Sequence, residues 1–94
     1  MSDKIKSEDV FAIDRHHRFQ YEEAQSCYVL LFPEGMVKLN GGAGEVLSRL
    51  DGTKQVAEIV QELKAAFPDV PEIETDIISM LELALEKTWI EKKA

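Results

Sequence analysis

The residues able to do chemistry in this chain are few, and their spacing gives them little to work with. Gly41-Gly42-Ala43-Gly44 opens a predicted helix straight after a predicted strand. That is a setting in which backbone N–H groups can cradle a phosphate. The run is not G-x-G-x-x-G, and no Lys-Ser/Thr pair follows it as in a P-loop. It reads as a glycine-rich first turn, each helical glycine costing roughly 1 kcal/mol relative to Ala. His16-His17 are the only histidines. Neighbours on an extended chain point to opposite faces, so the pair chelates poorly, and no H-x-x-x-H or H-x-x-E-H spacing exists. Cys27 is the single cysteine. It sits in an apolar run, which disfavours the thiolate, and it has no adjacent base to activate it. Glu72, Glu74, Asp76, Glu82 and Glu86 fall on the solvated side of a predicted helix, with nothing to push one carboxyl into an apolar pocket. These patterns predict no catalytic residue, no metal site and no bound cofactor: the chain reads as a binding domain and not an enzyme.

The elements around these residues follow from periodicity. Arg18-Phe19-Gln20-Tyr21-Glu22 alternates polar and apolar, as a half-buried strand does. Cys27-Tyr28-Val29-Leu30-Leu31-Phe32 is apolar on both faces, the pattern of a middle strand. Pro33-Glu34-Gly35 predicts a turn with Gly35 left-handed, and Met36-Val37-Lys38-Leu39 the return strand. Asn40 suits a helix N-cap, followed by a short helix over about 41–50 that ends at Asp51-Gly52. A second helix is predicted over about 55–67, with Val56, Ile59, Val60, Leu63 and Phe67 on one face. Pro68 and Pro71 break the chain before a third helix over about 72–87. The segment from Met1 to Asp14 lacks periodicity and reads as a flexible N-terminal tail, although Val10, Phe11 and Ile13 could dock locally. Residues 15–94 then form a single α+β domain, a three-stranded antiparallel sheet followed by three helices.

Bulk properties narrow the partners. Ninety-four residues with 45% hydrophobic composition suit one small globular unit. The net charge is −7, and from residue 53 onward five Lys and no Arg stand against nine Asp or Glu. Nucleic acid and anionic membrane surfaces both call for a basic face. A lone thiol and the lack of an apolar segment in Met1–Asp14 point to the cytoplasm.

Two features point to a peptide. In the third helix Ile73, Ile77, Leu81 and Ala84 form a central apolar stripe. Met80 and Leu83 widen it on one side, Ile78 and Leu85 on the other, beyond what a surface helix needs; either the whole arc packs into the core, helped by the docking of Trp89, or one flank lines an exposed groove. If the strands pair in chain order, Met36–Leu39 is an edge with unpaired N–H and C=O groups, where an extended peptide can add as a further strand. The same edge could pair with its own copy, so monomer and edge-paired homodimer both stay open.

The residues that carry these features also resemble a known family. Arg18–Glu22, the run Tyr28-Val29-Leu30-Leu31-Phe32-Pro33-Glu34-Gly35-Met36-Val37-Lys38-Leu39-Asn40, Asp51-Gly52, Ile59-Val60 and Trp89-Ile90 look like PqqD, an accessory family of pyrroloquinoline quinone (PQQ) biosynthesis. The resemblance implies a winged-helix-like fold and a peptide chaperone. Such a protein binds the ribosomal precursor peptide and presents it to a radical-SAM enzyme that crosslinks a Glu and a Tyr within it. It implies no cofactor. It places the peptide along Met36, Val37, Lys38 and Leu39, with Met80, Leu83, Ala84 and Lys87 of the third helix lining the groove. The sequence departs from the family where Gln55 replaces a more usual Ser or Thr cap, and where Thr88 stands in place of a common Gly. A nucleic-acid-binding winged helix, and a regulatory interaction domain for another client, are the competing readings. The acidic helices disfavour the first; titration with the precursor peptide separates the second.

Overall fold

The computed structural model describes residues 5–39 and 42–93. They form two antiparallel three-stranded sheets and three helices around one core. The first sheet is the one the alternation predicts. Strands β2 (Arg18–Glu22), β3 (Cys27–Phe32) and β4 (Gly35–Leu39) pair in chain order, with β3 central. Register pairs Tyr21 with Tyr28 and Leu30 with Val37. One face, with Phe19, Tyr28, Leu30, Val37 and Leu39, packs on the core. Phe19 stacks on Tyr28, and Tyr21 meets Tyr28 edge-on, at centroid distances of 4.8 and 5.2 Å. Gly35 takes the positive φ expected of a turn glycine, at 156°, and is at the same time paired with Phe32 as the first residue of β4.

The second sheet is where expectation and structure part. Strand β1 (Val10–Ile13) lies between β5 (Asp51–Gln55) and β6 (Ile90–Lys92). The tail expected over residues 1–14 is therefore wrong from Ile5 onward. Phe11 is 1% exposed, Ile5 is buried, and Phe11 pairs with Lys92. The carbonyls of Asp9 and Ser7 also accept the backbone N–H groups of Val56 and Ala57, the first two residues of the second helix. These donors have no partner inside the helix, so the segment before β1 caps it. The buried Asp9 carboxylate accepts the Lys6 N–H at 2.9 Å and pairs with Lys92 at 3.2 Å.

Helices α1 (Gly42–Ser48), α2 (Val56–Ala66) and α3 (Ile73–Glu86) fall within the predicted spans. Asn40, the expected cap of α1, lies outside the described residues. Asp51-Gly52 does more than end α1: it begins β5, with Gly52 left-handed at φ 82° beside a register irregularity in the β1–β5 pairing. Gln55 caps α2 through a capping box with Glu58. Leu30, Leu47, Ile59, Leu63, Ile77 and Leu81 are sealed in the common core. The α+β expectation of a three-stranded sheet followed by three helices holds, with a second sheet added from short segments. Among the described residues no helix is long and apolar enough to cross a membrane.

Candidate functional site

Among the described strands, β4 pairs with β3 on one side only. A two-residue connection, Pro33-Glu34, makes Phe32 and Gly35 the closing hydrogen-bonded pair. Alternation then directs the N–H and C=O groups of Val37 and Leu39 inward to β3. Those of Met36 and Lys38 point to the open edge. The side chains alternate on the other axis: Val37 is half-buried and Leu39 buried against the core, whereas Met36 and Lys38 stand in solvent. Met36 is 51% exposed, unusual for a large apolar residue.

Helix α1 couples this strand to α3, packing on β3, β4 and α3 together. The close approach needs glycine. A Cβ on Gly44 would lie 2.7 Å from the Tyr28 ring and 3.1 Å from the Leu39 carbonyl oxygen. Packing therefore accounts for the glycine at position 44. Gly42 has open space beside it.

The third helix presents Met80, Leu83 and Lys87 along one flank. Met80 packs partly on the core, Leu83 is 41% exposed and Lys87 is exposed. Ala84, expected to line the groove with them, is fully buried and serves the packing of α3. At the Met80 end the flank borders a groove of about 580 Å³ between α1, the end of α2 and α3. Its lining includes Ala43, Val46, Phe67, Val70, Ile73 and Met80, with Glu45 and Asp76 at its rim. The opposite flank, with Ile78, borders a second groove of about 570 Å³ between α2 and α3, polar at Gln61, Lys64, Glu74 and Glu82.

Sequence reasoning missed Phe67 and Val70 as surface groups. Phe67 completes the α2 stripe by spacing, yet the helix ends at Ala66 and leaves its ring 38% exposed. Val70 stands between two prolines and is 41% exposed. An apolar residue isolated between helix breakers was the available signal.

The other candidates stay structural. His16 and His17 both turn Nδ1 toward Asp14 Oδ1, at 3.2 and 3.3 Å. The Asp14 carboxyl titrates below its ordinary value, chiefly because it accepts the His16 backbone N–H and then through the two imidazoles. Among the described residues no cluster of three His, Cys, Asp or Glu could hold a metal ion. Cys27 is a half-buried free thiol. Glu72, Glu74, Asp76 and Glu86 are exposed and Glu82 is half-buried.

The family model described as coenzyme PQQ synthesis protein D (PqqD) matches residues 27–90. A PqqA binding protein of Pseudomonas paraeruginosa is 52% identical over 84 residues, covering 89% of this chain and 91% of the relative. A PqqA binding protein of Acinetobacter baylyi is 43% identical over 90 residues, covering 96% and 89%. The solution structure of the PqqD truncation of Methylobacterium extorquens PqqCD superposes with a TM-score of 0.75 at 33% identity. It covers 93% of this chain and 94% of that one. That structure is described as a functional, stand-alone recognition element for ribosomally synthesized and post-translationally modified peptides. The heterocyclase TruD shares the fold over 11% of its own length, with a TM-score of 0.67 and 24% identity.

Proposed function

The chain belongs to the PqqD family, and on that premise we propose that it is a peptide chaperone that binds the PqqA precursor peptide by strand addition to β4. The bound peptide is then presented to the radical-SAM enzyme that crosslinks it. The chain contributes binding and orientation; no step of the chemistry falls to it. A free thiol suits such a role in the cytoplasm.

The observation that carries this reading is the open edge of β4, which α1 links to the partly exposed apolar flank of α3. The described strands leave other edges as well. β6 has three residues, β5 is interrupted at Gly52, and β2 ends in Arg18 and Glu22. Short, irregular or charged edges resist pairing. At β4 a guest would gain backbone hydrogen bonds from Met36 and Lys38. Its core-side residues would continue the surface formed by Val37, Met80 and Leu83, with Lys87 at the far end.

Proline scanning of β4 tests this. Lys38→Pro removes only an outward N–H and is expected to abolish PqqA binding while the chain stays folded. Val37→Pro removes a donor to β3 and is expected to unfold the sheet. Titration of labelled protein with synthetic PqqA, followed by amide shifts, reads both outcomes. Equal behaviour at Met36, Val37, Lys38 and Leu39 would rule strand addition out.

A further inference from the structure

We infer that the groove between α1, the end of α2 and α3 is a second recognition site for the same peptide, taking one bulky apolar side chain with a basic residue next to it. The inference rests on the strand-addition reading and extends it past the strand.

Continuity is the first argument. Gly44 lies against the Leu39 carbonyl, and its neighbours Gly42 and Ala43 line the groove. The groove therefore begins where β4 ends. A strand advances about 3.3 Å per residue. A peptide paired at Met36 and Lys38 reaches the first turn of α1 within a few residues.

Exposure is the second. Among the described residues the exposed large hydrophobics are Tyr21, Met36, Phe67, Val70 and Leu83. Four of them lie on β4, on the Met80 flank of α3 or at the groove mouth. Phe67 and Val70 belong to no strand edge, so strand addition alone leaves them in water. An apolar residue of the guest seated between them, over Val46 and Ile73, covers them.

Charge is the third. Glu45 and Asp76 flank the mouth. Glu45 is engaged by Arg49 at 3.0 Å. Among the described residues no cation lies within ion-pair distance of Asp76. A Lys or Arg beside the seated residue would meet that carboxylate.

The test is calorimetric titration of the full chain with synthetic PqqA and with variants in which each bulky apolar residue becomes Ser. Phe67→Ser/Val70→Ser alters exposed positions only, and Ala43→Leu fills the groove. Each is expected to weaken PqqA binding about 10-fold or more. That loss should vanish against one particular Ser peptide, because the two changes remove the same contact. Asp76→Asn should weaken binding about two- to five-fold at low salt and not at high salt. Groove variants that bind every peptide as the parent does would overturn the inference and leave strand addition standing. A loss of equal size against every peptide would also overturn it, since the groove would then act through the fold alone. Failure of the parent chain to bind PqqA, or full binding by Lys38→Pro, would instead remove the reading on which the inference rests.

Discussion

Thr88 is held in a backbone conformation that its side chain disfavours. It takes φ 58°, in the left-handed region, directly after α3. Two hydrogen bonds hold it there: the Thr88 N–H donates to Leu85 O at 3.1 Å and the Trp89 N–H to Ala84 O at 2.9 Å. This is the paired closure with which many helices end, and its left-handed position favours glycine. A β-branched residue is poorly suited to that conformation. The packing of Trp89, which is 9% exposed, over-determines the turn and keeps Thr88 in it. Thr88→Gly is therefore expected to stabilise the fold by about 1 kcal/mol. In a domain of this size that raises the melting temperature by roughly 4–8 °C. Lys87→Gly, one residue earlier at φ −86°, should give no such gain. Thermal melts of the two variants decide it.

At the scale of elements, legibility followed the clarity of the local apolar pattern. The β2–β3–β4 sheet and α2 repeat their period often enough to be read from the chain alone. β1, β5 and β6 have four, five and three residues. Each becomes a strand through a partner distant in sequence, and such pairing leaves little periodic signal. The open edge of β4 was readable because chain-order pairing implies it. The groove was not, because it depends on where α2 stops. β5 owes its start to one side chain. Asp51 Oδ1 accepts the N–H groups of Thr53 and Lys54, at 2.9 and 3.1 Å, and the Thr53 hydroxyl at 2.8 Å. These bonds, led by the Thr53 N–H, hold its carboxyl at about 2, below its ordinary 3.8. A lowered folded-state value means the stabilisation is fully present above the unfolded value and is lost as pH falls toward the folded one. Asp51→Ala should accordingly lower the melting temperature at neutral pH. The gap between it and the parent should close as the pH falls from about 4 to about 2. A gap independent of pH across that window would show that the ionised carboxylate does not hold the turn.

For the whole molecule, the two sheets divide the work. The β5–β1–β6 sheet joins the two ends of the described chain: Phe11 pairs with Lys92, and the Lys93 N–H donates to Val10 O at 2.7 Å. The other sheet can then leave one side of β4 open, because it is not needed to close the fold. This division makes the segment before Asp14 indispensable, against the expectation that it is a loose tail. Deleting residues 1–14 removes the central strand of one sheet, the buried ring of Phe11 and the carbonyls that cap α2 at Val56 and Ala57. Loss of a buried Phe side chain alone costs about 3–5 kcal/mol. A small domain has a total stability of only about 5–15 kcal/mol. The chain beginning at Arg15 is expected to lose its cooperative thermal transition, and PqqA binding with it, even though β4 and α3 are intact in sequence. Circular dichroism melts and amide spectra check the first loss, and peptide titration the second. A cooperatively folded Arg15–Ala94 fragment that still bound PqqA would show that the edge of β4 is positioned by its own sheet and the helices alone, without the sheet that joins the ends.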